Sequence, residues 1–169
     1  MIPTVEWWAV IHNYSHVVFP VQIALYLLSV SAVCFFIFKP GKAANKFIRV
    51  FLLLAFSWIG FVFFLLLGRD LPAHRAQTFL FVSLAVLFAA DLVTGNSRFC
   101  LPEAGWRRYV VLIGFGLVLA YPVFGLLLGR LPSGWIVPGA FPCPTTALAL
   151  VFMTSAVDIK RRWLYLVTT

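Results

Sequence analysis

Charge is scarce in this sequence. Five acidic and thirteen basic side chains make up 11% of its 169 residues, against about 25% in an ordinary soluble domain. With 63% of the residues hydrophobic, such a chain cannot hide its apolar surface in water, so lipid must be the solvent for much of it. Lys and Arg are missing altogether from residues 1–16, where Glu6 is the sole charge. A secretory signal needs a positive region before its apolar stretch and a small-residue cleavage site after it. The first apolar run is therefore expected to stay as an anchor. Catalytic signatures are missing too: there is no Gly-rich phosphate loop, no Cys-x-x-Cys and no His-Glu-x-x-His. No nucleophile–base–orienter set can be named, so no catalytic residue is assigned.

What is present is a series of long apolar runs. About 20 residues of helix cross the hydrocarbon, and five segments meet or approach that length: 17–38, 47–67, 78–95, 109–129 and 141–157. The fifth is short and begins with prolines, which a first helical turn tolerates. The segment 1–16, with Trp7, Trp8 and Tyr14, reads as an interfacial helix. The expectation is an all-α polytopic membrane bundle of about five transmembrane helices in a single domain, with the lipid bilayer as its main partner.

The net charge of +8 could suggest nucleic acid, but the basic residues stand in short clusters between apolar runs, so nucleic acid is excluded as a partner. Their alternation sets an orientation instead. An N-terminus outside and a C-terminus in the cytoplasm puts ten basic residues inside: Lys39, Lys42, Lys46, Arg49, Arg98, Arg107, Arg108, Lys160, Arg161 and Arg162. Only Arg69, Arg75 and Arg130 remain outside, and cytoplasmic loops are the ones that retain Lys and Arg.

The chain also repeats itself. Leu65-Leu66-Leu67-Gly68-Arg69 and Leu126-Leu127-Leu128-Gly129-Arg130 end the second and fourth runs. The next runs begin at Thr78 and Thr145, and Asp91 and Asp158 each follow thirteen residues later. Two copies of one helical hairpin are expected, against the alternative of convergent Leu-rich exits.

The groups that could carry chemistry gather on the expected outer face. His12 and His16 are four apart and share one side of a helix, a spacing that suits a metal. His74 and Cys143 fall on the same face, as do Glu6 and Asp70. The set His12, His16, His74 and Cys143 would suit zinc or copper. The competing reading leaves the imidazoles as polar tips among headgroups and Cys143 as a small packed residue. An internal disulfide is not expected, since Cys34 and Cys100 fall on the opposite side. The nearly uncharged stretch from Gly139 to Thr146 is expected to fold back toward the bundle. There it would floor an outward-facing pocket, with Pro142, Cys143, Pro144 and Thr145 as ligand-binding residues. Asp91 sits in apolar surroundings and opposes the helix dipole. It is either a proton or cation site or half of an interhelical ion pair, with Arg49 or Arg107 as partner. Asp158 has Lys160, Arg161 and Arg162 beside it and is expected to be paired at the interface.

The segment Gly139-Ala140-Phe141-Pro142-Cys143-Pro144-Thr145-Thr146 resembles a motif in a family of small bacterial multi-pass membrane proteins of unknown function. Tyr14, the Phe19-Pro20-Val21-Gln22 stretch and the Tyr121-Pro122 pair are similar to that family as well. Gly129-Arg130 stands where the family would have Gly-His, and the family continues into a further span, which implies a shortened member or an incomplete chain. The resemblance implies fold and a bacterial inner-membrane location and brings no activity with it. Three functions follow. The first is a protein binding a small ligand or metal at its extracytoplasmic face, as a transport or sensing module. The second is a structural or accessory subunit with membrane-protein partners or a homo-oligomer. The third is a membrane enzyme using Cys143, which lacks a base.

Overall fold

A computed structural model describes residues 4–127, 129 and 134–157, and the side chains of all of these except 4–9 and 157. The fold is all-α. Among the described residues six helices follow in order: α1 (Thr4–Phe38), α2 (Lys42–Trp58), α3 (His74–Thr94), α4 (Trp106–Leu119), α5 (Tyr121–Leu127) and α6 (Pro142–Thr154). A π-helical stretch, Ile59–Leu67, prolongs α2 without a break. Two short strands, β1 (Arg98–Phe99) and β2 (Ala156–Val157), pair antiparallel in register Arg98 with Val157 and Phe99 with Ala156. Asp158, Lys160, Arg161, Arg162 and Arg130 lie outside the described residues.

Among the described residues, three helical rods are long and apolar enough to cross a membrane: Val10–Phe38, Lys42–Leu67 and His74–Thr94. The pair α4 and α5, bent by 46°, makes a fourth if it counts as one span. Among the described residues, the expected fifth run forms a shorter apolar helix, α6. The thirteen residues of α6 reach about 20 Å, short of a hydrocarbon layer of about 30 Å. The expected break between an interfacial segment and the first span is also absent, because α1 is one helix of 35 residues. Its first half joins the bundle because Ile11, Tyr14, Ser15 and Val18 recur at helical spacing and are all buried.

Aromatic side chains supply much of the core and pin the elements to one another. Phe56 and Phe88 stack nearly parallel, and Phe56 and Phe64 also stack on Phe81, which joins α2 and its π-helical extension to α3. Phe36, Phe115 and Phe152 join α1, α4 and α6 with ring centroids 4.9 to 5.7 Å apart. Gly60 lets α3 come close, since a Cβ there would lie 2.8 Å from the Val82 Cγ2.

The bend between α4 and α5 has a local cause. Pro122 has no N–H to continue the ladder, and the Val123 N–H turns to Ala120 O. Tyr26 of α1 donates its hydroxyl to Leu119 O at 2.9 Å, so the carbonyl released at the bend is satisfied inside the protein, as an apolar surrounding requires.

The two arms of the expected repeat differ at this point. One is a continuous rod and the other is bent. Gly68 has φ −100°, whereas Gly129 is left-handed at +71°. Asp158, needed to complete the comparison, lies outside the described residues.

Candidate functional site

The rods run back and forth, so the bundle has two ends. One gathers the start of α1, the 68–74 turn and the start of α3, and so holds all three histidines. The other gathers residues 38–49 and 94–106 with the β1–β2 pair, and holds most of the described basic side chains.

At the histidine end, His12 and His16 stand on the exposed flank of α1, because Ile11, Tyr14, Ser15 and Val18 take the inner face. Their Nε2 atoms are 3.3 Å apart and their ring centroids 4.4 Å apart. His74 is half-buried at the start of α3, with Nδ1 3.1 Å from Leu71 O. Cys143 is exposed on the first turn of α6, beside an apolar groove of about 460 Å³ shared with Phe64, Gln77, Phe81 and Thr146. Gln77 Oε1 is buried there with no partner among the described residues. No three His, Cys, Asp or Glu side chains among the described residues come together to hold a metal. The expected four-residue metal set is thus not assembled. Only the His12–His16 pair meets.

The stretch before α6 does turn inward, and its polar groups are used in doing so. Val137, Pro138, Gly139, Ala140 and Phe141 are all buried. Tyr14 donates its hydroxyl to Ala140 O at 2.8 Å and accepts the Trp58 indole N–H at 2.8 Å. Its ring also meets Phe63 and Phe141 edge-on. The Gln22 side-chain amide donates to Trp135 O. Gly139, at φ +93°, lies so close to α1 that a Cβ would stand 3.0 Å from Leu25 O. The buried Thr145 hydroxyl accepts the Gly139 N–H at 2.7 Å and donates to Phe141 O at 2.5 Å. Pro144 is buried and Pro142 half-buried. Of the expected ligand-binding residues on this stretch, Cys143 alone presents an unengaged polar atom to the groove.

Asp91 is 1% exposed on α3 and faces Arg49 of α2, itself 8% exposed. Arg49 Nε lies 3.2 Å from Asp91 Oδ2. Neither atom makes an aligned hydrogen bond, so this contact is charge proximity. The hydrogen bonds run elsewhere: Asp91 Oδ1 accepts the Ser97 N–H at 3.0 Å, and Arg49 donates through its Nη2 to Ser97 O. Of the two expected readings, Asp91 follows the interhelical ion pair, with Arg49 as its partner.

Around that pair is a feature that sequence reasoning missed. Lys42, Lys46, Arg49 and Arg98 line one cavity of about 590 Å³, together with Asn45. The signal was present in the sequence: positions 42, 46 and 49 repeat at helical spacing on one face. Arg98 joins them through the turn after α3, which no periodicity marks.

A helical bundle with three or four rods long and apolar enough to cross a bilayer defines a class compatible with integral membrane proteins. Within that class the chain belongs to the family described as a family of unknown function, DUF6064, which matches residues 4–169. No curated protein and no solved structure matches it.

Proposed function

We propose that this chain is an integral protein of a bacterial inner membrane, a binding protein rather than an enzyme. On this reading it holds a divalent transition-metal ion at the His12–His16 pair on the extracytoplasmic face, as part of a transport or sensing module. The observation that carries the reading is the 3.3 Å between the two Nε2 atoms. An ion about 2.0–2.1 Å from each nitrogen would subtend an N–metal–N angle of roughly 105–110°, the angle of a tetrahedral site. Both rings are exposed, so water or a transported group can fill the remaining positions, as in sites that exchange ligands. The orientation rests on the partition of basic residues. The Gly139–Thr146 sequence is read as the family's signature, and the inward turn it builds as its role.

Metal titration of the full chain in detergent tests the reading. Stoichiometric zinc or copper is expected, with His12→Ala or His16→Ala weakening the affinity by about tenfold or more, at ~1.4 kcal/mol per tenfold. His74→Ala should leave it unchanged. Wild-type protein that holds no stoichiometric metal would sink the proposal. A tight copurifying partner in its place would favour the accessory-subunit reading.

A further inference from the structure

We infer that the cavity at the basic end of the bundle is a binding site for a phosphate-bearing anion. Four observations converge on it. First, Lys42, Lys46 and Arg98 line the cavity, and none of them is paired with a carboxylate among the described residues. Among the described residues, the acidic side chain in contact with the cavity lining is Asp91, buried behind Arg49 and already committed to it. Like charges three and four residues apart on one helix face repel, and a bound anion removes that repulsion.

Second, the cavity lies at the start of α2, a helix of 17 residues. Its N-cap is Gly41, with no capping side chain and no acidic residue in the first turn. Among the described residues, no acidic side chain meets the first backbone N–H groups or the positive end of the helix dipole. Third, Asn45 spends its carbonyl oxygen on the Phe99 N–H at 2.7 Å. What it has left for the cavity is its amide donor pair. Every polar side chain lining the cavity thus offers it a cation or a donor. Fourth, Arg49 is fixed from two sides, by Asp91 and by Ser97 O, so one guanidinium is already ordered before any ligand arrives.

The chemistry that matches is a tetrahedral oxyanion of one or two charges, whose oxygens accept from ammonium, guanidinium, amide and backbone N–H groups together. Two sources offer it where a helix end meets the membrane surface: the headgroup of an anionic phospholipid and a free phosphate in solution. Basic pockets between helices suit the former.

The test uses the full chain purified in a neutral detergent. Binding is measured with short-chain phosphatidylglycerol, with short-chain phosphatidylcholine as the zwitterionic reference, and with inorganic phosphate. Lys42 and Lys46 are exposed, so Lys42→Gln with Lys46→Gln leaves the core intact, and a cooperative melt in each variant verifies it. The double variant is expected to weaken binding by about tenfold or more. Arg108→Gln, an exposed cation near the same end that does not line the cavity, should change it less than about twofold. Phosphatidylglycerol binding with this pattern assigns the site to a lipid headgroup. The same pattern with inorganic phosphate alone assigns it to a soluble ligand. Binding of neither anion, equal affinity for phosphatidylcholine, or an equal loss in Arg108→Gln would each overturn the inference. The metal proposal concerns the opposite end of the bundle and stands or falls separately.

Discussion

A carboxylate buried among apolar helices needs its charge matched, and Asp91 has one cation, Arg49, within 3.2 Å. Removing one partner of such a pair leaves the other charge stranded, which costs about 3–5 kcal/mol, whereas removing both is far cheaper. Asp91→Asn is therefore expected to destabilise the protein by about that amount, because it keeps an acceptor for the Ser97 N–H but strands the guanidinium. Adding Arg49→Met should recover a good part of the loss. Thermal melts of the two variants in detergent check this, and an equal loss in both would mean that Asp91 does more than neutralise Arg49. This much was legible in the sequence, since a buried Asp with no neighbouring cation must find one on another helix. The choice of Arg49 over Arg107 was not, because it depends on α2 and α3 being adjacent. The His12–His16 contact was legible for a similar reason, as helical spacing alone brings the two rings together. Their distance from Cys143 was not, since Tyr14 and its neighbours turn the histidines outward.

At the scale of elements, apolar runs in the sequence located every helix but not the breaks between them. Hydropathy counts apolar residues, and the inward turn at 134–141 is as apolar as a helix. Its non-helical course comes from Gly139 and Pro138, and from Pro142, which opens α6 and disfavours helical backbone at Phe141 before it. The bend at Pro122 likewise separates two arms whose Leu-Leu-Leu-Gly-Arg exits read alike. The turn makes a sharp demand on one residue. Gly139 combines a left-handed φ of +93° with a backbone contact to Leu25. Gly139→Ala should then cost about 2 kcal/mol or more, combining conformational strain with a displaced α1 contact. Gly134→Ala, where a Cβ would meet nothing within 4 Å, serves as the control. A melting temperature lowered only in the first variant is the expected result. Equal stability in both would mean that the turn is not seated on α1.

For the molecule as a whole, the decisive property is the separation of its polar groups. The loops and helix starts at one end carry Lys39, Lys42, Lys46, Arg98, Arg107 and Arg108, whereas the 68–74 turn and the start of α3 at the other carry Arg69 and Arg75, with two histidine-bearing helices there. Lys and Arg near helix ends resist translocation far more than Asp and Glu favour it, so such an asymmetry dictates which end crosses the membrane. The basic end is expected in the cytoplasm, where anionic lipid also concentrates, and the histidine end outside. Asp70 and Glu103 are exposed turn residues at opposite ends and suit a direct test. With Cys34, Cys100 and Cys143 replaced by serine, Asp70→Cys should react with a membrane-impermeant maleimide in intact cells. Glu103→Cys should react only after the cells are permeabilised. The reverse pattern would put the histidine pair in a reducing compartment and the phosphate cavity outside, away from the anionic leaflet. Both binding proposals would then have to exchange faces, because neither His12 and His16 nor Lys42 and Lys46 can change ends of a bundle pinned by its aromatic core.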